Sequence, residues 1–225
     1  MGTRLYPLTQ NKPKALIEIG REPFIAHQLH LLAASGIDKV VLCAGHYGEA
    51  LQHYVGDGGR FGLRAEYSFD GPLLLGTAGA LRRALPLLGE EFFVMYGDSY
   101  LPCDYHAVAR CFRASGKQAL MTVFGNEGQW DSSNVEIADE GTIRAYDKKV
   151  HTPRMRHIDY GLGVFRASAF NRIPPETSSD LAELYRQLLA EGELSAYEVK
   201  ERFYEVGSFG GIEELTAYLY TQTEL

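Results

Sequence analysis

Strand and helix patterns alternate along residues 1–124, and this alternation constrains the fold most. The short apolar runs Lys39–Ala44 and Glu91–Tyr96 are typical of strands buried on both faces. Strands separated by helices pair in parallel through right-handed crossovers. The pattern therefore predicts an α/β fold with three α/β/α layers, Rossmann-like, around a mostly parallel sheet. The other elements predicted here are helices over Pro23–Ser35, His46–Tyr54, Thr77–Leu88 and Asp104–Ser115, and strands over Leu63–Phe69 and Ala119–Phe124.

After Gly125 the pattern changes to a smaller antiparallel lobe. Asn134–Ala138 and Thr142–Tyr146 form a predicted hairpin around Asp139–Gly141. We expect this lobe at the carboxyl edge of the sheet, where open α/β sheets bind ligands. The remaining elements predicted are strands over His157–Arg166 and Arg202–Val206, a helix over Ser179–Ala190 capped by Ser178 or Ser179, and a helix over Ile212–Thr221.

No linker separates these parts, so we predict one domain over residues 1–225. Residues 1–124 would form its nucleotide-binding half and residues 125–225 its sugar-phosphate-binding half, roles that depend on the resemblance described below.

Charge and cysteine content exclude several classes of protein. The chain has 22 Lys and Arg against 29 Asp and Glu, a net charge of −7, which argues against a nucleic-acid or membrane-surface binder. The longest uncharged apolar stretch, Gly71–Leu81, is too short to span a bilayer. Three cysteines without a CxxC pair indicate reduced thiols, so we expect a cytoplasmic protein. The oligomeric state stays open.

The N-terminal segment is basic within this acidic chain. Arg4, Lys12, Lys14 and Arg21 are opposed only by Glu18. Cations beside small residues suit a polyphosphate ligand, although a solvated basic segment is the alternative. The sequence contains no GxxxxGK[ST], GxGxxG or HExxH motif. His27 and His30 are three residues apart, and we interpret them as surface residues of a helix rather than as a metal pair.

Several motifs recur in the order of one known family. Gly2–Thr9 (GTRLYPLT), followed by Lys12–Leu16 (KPKAL), resembles the GxGTRLxPLT and PKPL signature of sugar-1-phosphate nucleotidylyltransferases. The chain is most similar to the small heptose-1-phosphate, mannose-1-phosphate and N-acetylmuramate-1-phosphate group. Four later landmarks follow in the family's order. Gly76–Ala80 resembles its nucleotide-binding GTAGA segment, and Gly97–Asp98 resembles its GD. Tyr146–Lys149 lies where the family has a lysine near the sugar phosphate, and Glu205–Ser208 resembles its late D-I-G-T element.

The resemblance implies a reaction and a set of site residues. An NTP and a sugar 1-phosphate would give an NDP-sugar and pyrophosphate with Mg²⁺ as cofactor. A GDP-sugar is slightly favoured over a UDP-sugar. The implied residues are Arg4 and Lys14 for catalysis, Gly2, Thr3, Gly76, Thr77 and Gly79 for the nucleotide, Asn134, Lys149, Asp159 and Gly161 for the sugar phosphate, and Asp98 and Glu205 for the metal.

Departures from the family pattern leave alternatives open. The family begins with a strand and an L-A-G-G-x-G turn, and this chain begins at the x, so we expect that strand to precede Met1. A non-catalytic protein that binds a nucleotide or sugar phosphate, or that regulates, is the alternative. Glu205 stands where the family has aspartate, and Lys148 where it often has an acidic residue.

Individual residues also have structural interpretations. Asp98 could cap a turn, Lys149 could be a solvated charge, and Gly76 and Gly79 could begin a helix beside a tight turn. Trp130 could stack on a sugar or pack against protein. A glycosyltransferase of related fold would carry a DxD pair, which Gly97–Tyr100 lacks.

Overall fold

A computed structural model describes Leu5, Gln10 and residues 12–130 and 132–223. The chain forms two compact units, each built from separated stretches. Unit 1 comprises Met1–Phe69, Tyr96–Pro102 and Phe203–Leu225; unit 2 comprises Asp70–Met95 and Cys103–Arg202. These boundaries differ from the division after residue 124, because segments distant in the sequence pair with each other. The single-domain organisation stays a prediction.

In its described residues, unit 1 combines three two-stranded sheets with three α-helices. The pair β1–β2 is an antiparallel hairpin, β3–β4 is parallel, and β6–β12 is antiparallel. Its elements are β1 (Glu18–Ile19), β2 (Glu22–Pro23), α1 (Phe24–Ala34), β3 (Lys39–Ala44), α2 (Gly48–Val55), β4 (Arg64–Phe69), β6 (Ser99–Tyr100), β12 (Tyr204–Glu205) and α6 (Phe209–Thr223).

Two apolar clusters stabilise unit 1. One joins Ile17 and Phe24 near the N-terminus to Val206 and Leu215, all at most 3% exposed. The other packs the opposite side of α1 against β4 and the turn at Phe61. Burial of large apolar side chains contributes roughly 2 kcal/mol each, so the first cluster, which also includes Tyr100, holds the three separated stretches together.

Unit 2 is built on a six-stranded mixed sheet. The order is β11-β7-β10-β8-β9, and β5 pairs with β10. Only β11 and β7 are parallel among these pairs. Its elements are α3 (Gly76–Ala84), β5 (Glu91–Met95), α4 (Tyr105–Ser115), β7 (Ala119–Gly125), β8 (Val135–Ile137), β9 (Ile143–Tyr146), β10 (His157–Arg166), α5 (Leu181–Ala190) and β11 (Leu194–Val199).

The α/β class is confirmed, and three details of the sequence prediction are wrong. β10 belongs to the second half yet lies between β5 and β7, antiparallel to both. β11 was not predicted, because Leu194–Val199 mixes small and charged residues and lacks a β-branched run. β3 and β5 are mostly half-buried rather than buried on both faces. Each pairs with a single strand among the described residues, so each is an edge strand of the described sheets.

Local capping explains several element boundaries. The Asp104 carboxylate accepts a hydrogen bond from the Ala107 amide at 2.9 Å and begins α4. Asp180, not Ser178 or Ser179, caps α5 through the Ala182 amide at 2.8 Å. An aspartate placed immediately before the first turn satisfies an otherwise unpaired amide and favours the helix dipole.

The helices of the described residues are also too short or too polar to cross a bilayer.

Candidate active site

Lys14 and Asp98 meet in unit 1. The Lys14 Nζ lies 3.1 Å from Asp98 Oδ2, and the side chains keep 30% and 39% of their surface exposed. Lys14 begins a 3₁₀ turn over Lys14–Leu16 after Pro13, whose φ of −67° directs the chain into it. The two residues are 84 positions apart in the sequence, so the fold creates this ion pair.

Glu205 is the backbone neighbour of Asp98. Its strand β12 pairs with β6 so that Glu205 faces Ser99, the residue after Asp98. The Val206 amide donates to the Asp98 carbonyl at 2.9 Å. Val206 is fully buried, whereas Glu205 is exposed. The residue that follows the strand is thus anchored in the core, and the last residue of the strand is presented to solvent.

Gly207 and Ser208, which follow the strand of Glu205, each have a structural role. A Cβ at Gly207 would lie 3.1 Å from Glu205 Oε1, so a larger residue would crowd the carboxylate. The Ser208 hydroxyl accepts from the Gly211 amide at 3.0 Å and begins α6. The motif therefore ends a strand, leaves room for a carboxylate and starts a helix.

Asp98 and Glu205 have the chemistry of a magnesium site. Both are oxygen donors reachable by solvent, and Mg²⁺ typically takes one or two carboxylates with waters and substrate phosphates. Among the described residues, no cluster of three or more His, Cys, Asp or Glu could hold a metal. The residues present fit Mg²⁺ bound partly by phosphate oxygens. The predicted residues Gly2, Thr3 and Arg4 lie outside the described part of the chain.

His27 and His30 have separate partners. His27 Nε2 lies 2.9 Å from the Ile19 carbonyl, which can only accept, so this nitrogen carries the proton. His30 Nε2 lies 3.8 Å from Glu22 Oε2.

The Gly76–Ala80 segment begins α3 in unit 2 and contacts residues 177–181. The amides of Ala78 and Gly79 donate to the Ser179 carbonyl at 2.9 and 3.3 Å. Gly76 has φ of +69°, and a Cβ there would lie 2.6 Å from the same carbonyl oxygen. The Thr77 hydroxyl accepts from the Leu181 amide at 2.7 Å. Both glycines thus have a packing reason, and their contact with a nucleotide stays a prediction.

Three of the predicted sugar-phosphate residues lie together in unit 2. Asn134 Oδ1 accepts from the Asp159 amide at 2.9 Å, and the Gly161 amide donates to Asp159 Oδ1 at 3.0 Å. Tyr146, which sequence reasoning did not single out, donates its hydroxyl proton to Asp159 Oδ2 at 3.1 Å. These contacts orient the side chains at one end of β10.

Burial raises the pKa of the Asp159 carboxyl, although the residue keeps some exposed surface. The positive charge of Lys148 and the hydrogen bonds from Gly161 and Tyr146 act in the opposite direction. For Asp147, the amides of Lys149 and Val150 lower the pKa, since they donate to its carboxylate at 2.7 and 3.0 Å.

Lys149 follows this turn as an exposed residue. Lys148 is the lysine whose charge acts on Asp159. The structure therefore brings together Asn134, Asp159 and Gly161 and adds Lys148 and Tyr146 to them. The sequence contains a signal for Tyr146, because it is the first residue of the Tyr146–Lys149 motif.

Trp130 lies under the Arg202 guanidinium, whose central carbon is 3.5 Å from the ring centroid. Its backbone amide donates to Asn126 Oδ1 at 3.1 Å, and 44% of the residue stays exposed. The contact supports the packing interpretation for one face of the ring.

Comparison with known proteins now identifies the family. The family model described as "Nucleotidyl transferase" matches residues 1–222. The chain belongs to this family. The UTP–glucose-1-phosphate uridylyltransferase of Synechocystis is 29% identical over 207 residues, covering 85% of this chain and 53% of the relative. The catalytic subunit beta of mannose-1-phosphate guanylyltransferase from Dictyostelium discoideum is 29% identical over 212 residues, covering 92% and 58%.

Solved structures confirm the nucleotidyltransferase fold. HddC from Yersinia pseudotuberculosis, complexed with GMP-PN, has a TM-score of 0.80 at 16% identity and covers 97% of this chain and 95% of its own. A UTP-bound UGPase from Acinetobacter baumannii has a TM-score of 0.78 at 16% identity, with coverages of 97% and 89%. The chain spans a little over half the length of the two curated relatives above.

Proposed function

We propose that this member of the nucleotidyl transferase family transfers a nucleotidyl group from an NTP to a sugar 1-phosphate and releases pyrophosphate. The observation that carries the proposal is the ion pair between Lys14 and Asp98, beside which the strand of the exposed Glu205 pairs with the residue after Asp98. The names of the curated relatives support the sugar-1-phosphate substrate.

The proposed reaction requires the protein to bring two anionic substrates together and to stabilise their negative charge. A phosphate oxygen of the sugar 1-phosphate attacks the α-phosphorus, the bond to the β-phosphate bridging oxygen breaks, and pyrophosphate leaves with that electron pair. The attacking group is already anionic, so no general base is required. Preorganised cations that bring the two anions together lower the barrier. Lys14 supplies such a cation, and Arg4 and the backbone at Gly2 and Thr3 are proposed to hold the triphosphate.

Asp98 and Glu205 would hold Mg²⁺, which when bound neutralises charge on the phosphate oxygens. Lys14 Nζ lies 3.1 Å from Asp98 Oδ2. We propose that Lys14 also contacts a substrate phosphate, since an ammonium on a flexible stem exchanges partners readily.

The sugar phosphate is assigned to the cluster in unit 2. Asn134 and Asp159 offer directional hydrogen-bonding groups for hydroxyls, the Gly161 amide orients Asp159, and Lys149 supplies charge. Gly76, Thr77 and Gly79 are assigned to the nucleotide. We propose GTP as the preferred nucleotide, supported by the mannose-1-phosphate guanylyltransferases among the relatives.

Pyrophosphate release tests the function directly. The protein is incubated with Mg²⁺ and GTP or UTP against mannose-, heptose-, glucose- and N-acetylmuramate-1-phosphate. We expect release from one pair, and a fall of about 100-fold or more in kcat for Asp98→Asn. The matched control is Asp139→Asn, an exposed aspartate of the β8–β9 turn, which should retain wild-type activity.

Two results would decide against parts of the proposal. A preference for UTP would replace the guanine assignment and keep the reaction. Absence of release from every pair by a folded protein would instead favour the non-catalytic binding or regulatory role.

A further inference from the structure

Gln28 is a buried polar residue on α1, with 1% of its surface exposed. Its Nε2 donates to the carbonyl of Ser99 at 2.8 Å and to that of Tyr96 at 3.3 Å. Both partners are acceptors, so the amide nitrogen, and not the oxygen, must face them. One side chain thereby joins a helix of unit 1 to two points of a turn 68 and 71 residues away.

These two points bracket Asp98. The turn closes through the Ser99 amide, which donates to the Tyr96 carbonyl at 3.2 Å. Gly97 is exposed, and among residues 12–130 and 132–223 a Cβ there would have no neighbour within 4 Å. Packing of these described residues around Gly97 therefore does little to hold the turn, and Gln28 fixes the backbone on both sides of the carboxylate.

The oxygen of the Gln28 side-chain amide lowers the stability of the protein. Its Oε1 is buried without a hydrogen-bond partner among the described residues. An unsatisfied buried acceptor costs roughly 1–3 kcal/mol. An apolar side chain of similar size, such as methionine, would avoid this cost, so packing alone does not explain a glutamine here.

We infer that Gln28 is a positioning residue for the metal carboxylate. It holds the 96–99 turn so that Asp98 stays beside Lys14 and next to Glu205. Nothing in the motifs of this chain points to Gln28, and the inference rests on the proposed role of Asp98. Residues that orient metal ligands typically change metal affinity or activity by about 10–100-fold when they are substituted.

Gln28→Met tests the inference, because it removes both donors and keeps the volume. The first readout is the affinity for Mn²⁺ alone, measured on the full chain by electron paramagnetic resonance. We expect about a tenfold weaker Kd. The second is steady-state kinetics, in which kcat should fall about tenfold while the KM for sugar 1-phosphate stays unchanged. The free energy of unfolding in urea should change little, because removal of the unsatisfied Oε1 offsets the loss of the donor to the Ser99 carbonyl.

Leu29→Met is the matched control. Leu29 follows Gln28 on α1, is 1% exposed and packs in the cluster with Phe61. It should retain wild-type Mn²⁺ affinity and kcat, because that cluster does not include the 96–99 turn.

Three outcomes would overturn the inference. These are wild-type Mn²⁺ affinity in Gln28→Met, a loss of metal affinity that merely follows a loss of stability, and a wild-type protein that binds no Mn²⁺. Failure of the proposed function has a different signature. The wild type would then release no pyrophosphate, while a difference in Mn²⁺ affinity between the variants would still support Gln28.

Discussion

The ion pair between Lys14 and Asp98 joins side chains that keep roughly a third of their surface exposed. Such pairs contribute about 0–1 kcal/mol to stability because water screens them. Substitution of Lys14 should therefore affect the catalytic rate more than the stability of the fold.

Lys14→Met is expected to lower kcat for pyrophosphate release by about 100-fold, since one preorganised cation is lost near the reacting phosphates. The free energy of unfolding in urea should change by less than about 1 kcal/mol. Lys12→Met, two residues earlier, is the control and should leave both quantities near wild type. Equal effects of the two substitutions would contradict a specific role for Lys14.

The raised pKa of the Asp159 carboxyl predicts that the stability of the protein depends on pH. Because its folded-state pKa is raised, the protonated carboxyl is favoured in the native state. Its favourable contribution is complete in acid and is lost as the pH rises through the raised pKa. Asp159→Asn keeps an acceptor for Gly161 and can donate to the Tyr146 oxygen. The variant should therefore gain stability relative to wild type between acid and neutral pH. Thermal unfolding of both proteins over this pH range is the measurement. A difference in Tm between variant and wild type that stays constant with pH would refute the prediction.

At the level of elements, β10 contains a bulge that places the sugar-phosphate candidates. Asp159 faces Val123 and Gly163 faces Met121, so Tyr160–Leu162 stand opposite the single residue Thr122. Gly161 reaches φ of +97° within this stretch. Bulges re-aim side chains and are common beside functional sites.

Thr122 fastens the bulge from the facing strand. It is fully buried, and its hydroxyl donates to the Leu162 carbonyl at 2.5 Å. Thr122→Val leaves that carbonyl without this donor, so we expect a loss of about 1–3 kcal/mol in unfolding free energy. The KM for sugar 1-phosphate should rise as well. Thr122→Ser retains the hydroxyl and should preserve the KM; equal behaviour of both variants in urea and kinetics would count against the hydrogen bond.

The start of α3 gives a second prediction at this level. Gly76→Ala puts a Cβ 2.6 Å from the Ser179 carbonyl oxygen at a φ of +69°. We expect a destabilisation of about 1–3 kcal/mol, measured by urea unfolding. Gly210→Ala in α6 is the control, because its Cβ meets nothing within 4 Å and alanine favours helices. Tolerance of Gly76→Ala would mean that residues 177–179 can move away.

For the whole molecule, the three cysteines report on global unfolding. None of the three forms a disulfide within the described part of the chain. Cys43 is exposed, whereas burial raises the pKa of Cys103 to about 12 and also raises that of Cys111. The thiolate is the reactive form. Iodoacetamide should therefore modify Cys43 in the native protein and all three cysteines in urea, as counted by mass spectrometry. Rapid native modification of Cys103 would show that its surroundings open readily.

The sequence was sufficient for the features that depend on local periodicity and on motif order. The helix Tyr105–Ser115, the β8–β9 hairpin and the ten-residue strand β10 all follow from apolar spacing and turn residues. The family followed from short motifs whose order along the chain is independent of their contacts. The candidate residues Lys14, Asp98 and Glu205 could be selected in the same way.

Tertiary structure alone decided which of these segments meet. Neither β11 nor the place of β10 between β5 and β7 could be inferred, since strand order depends on long-range pairing energies that leave no local pattern. The same is true of Gln28 and Thr122, whose polar groups acquire partners only when distant segments pack. Apolar spacing determined the elements of this protein, and buried hydrogen bonds between distant residues determined how its candidate site is held.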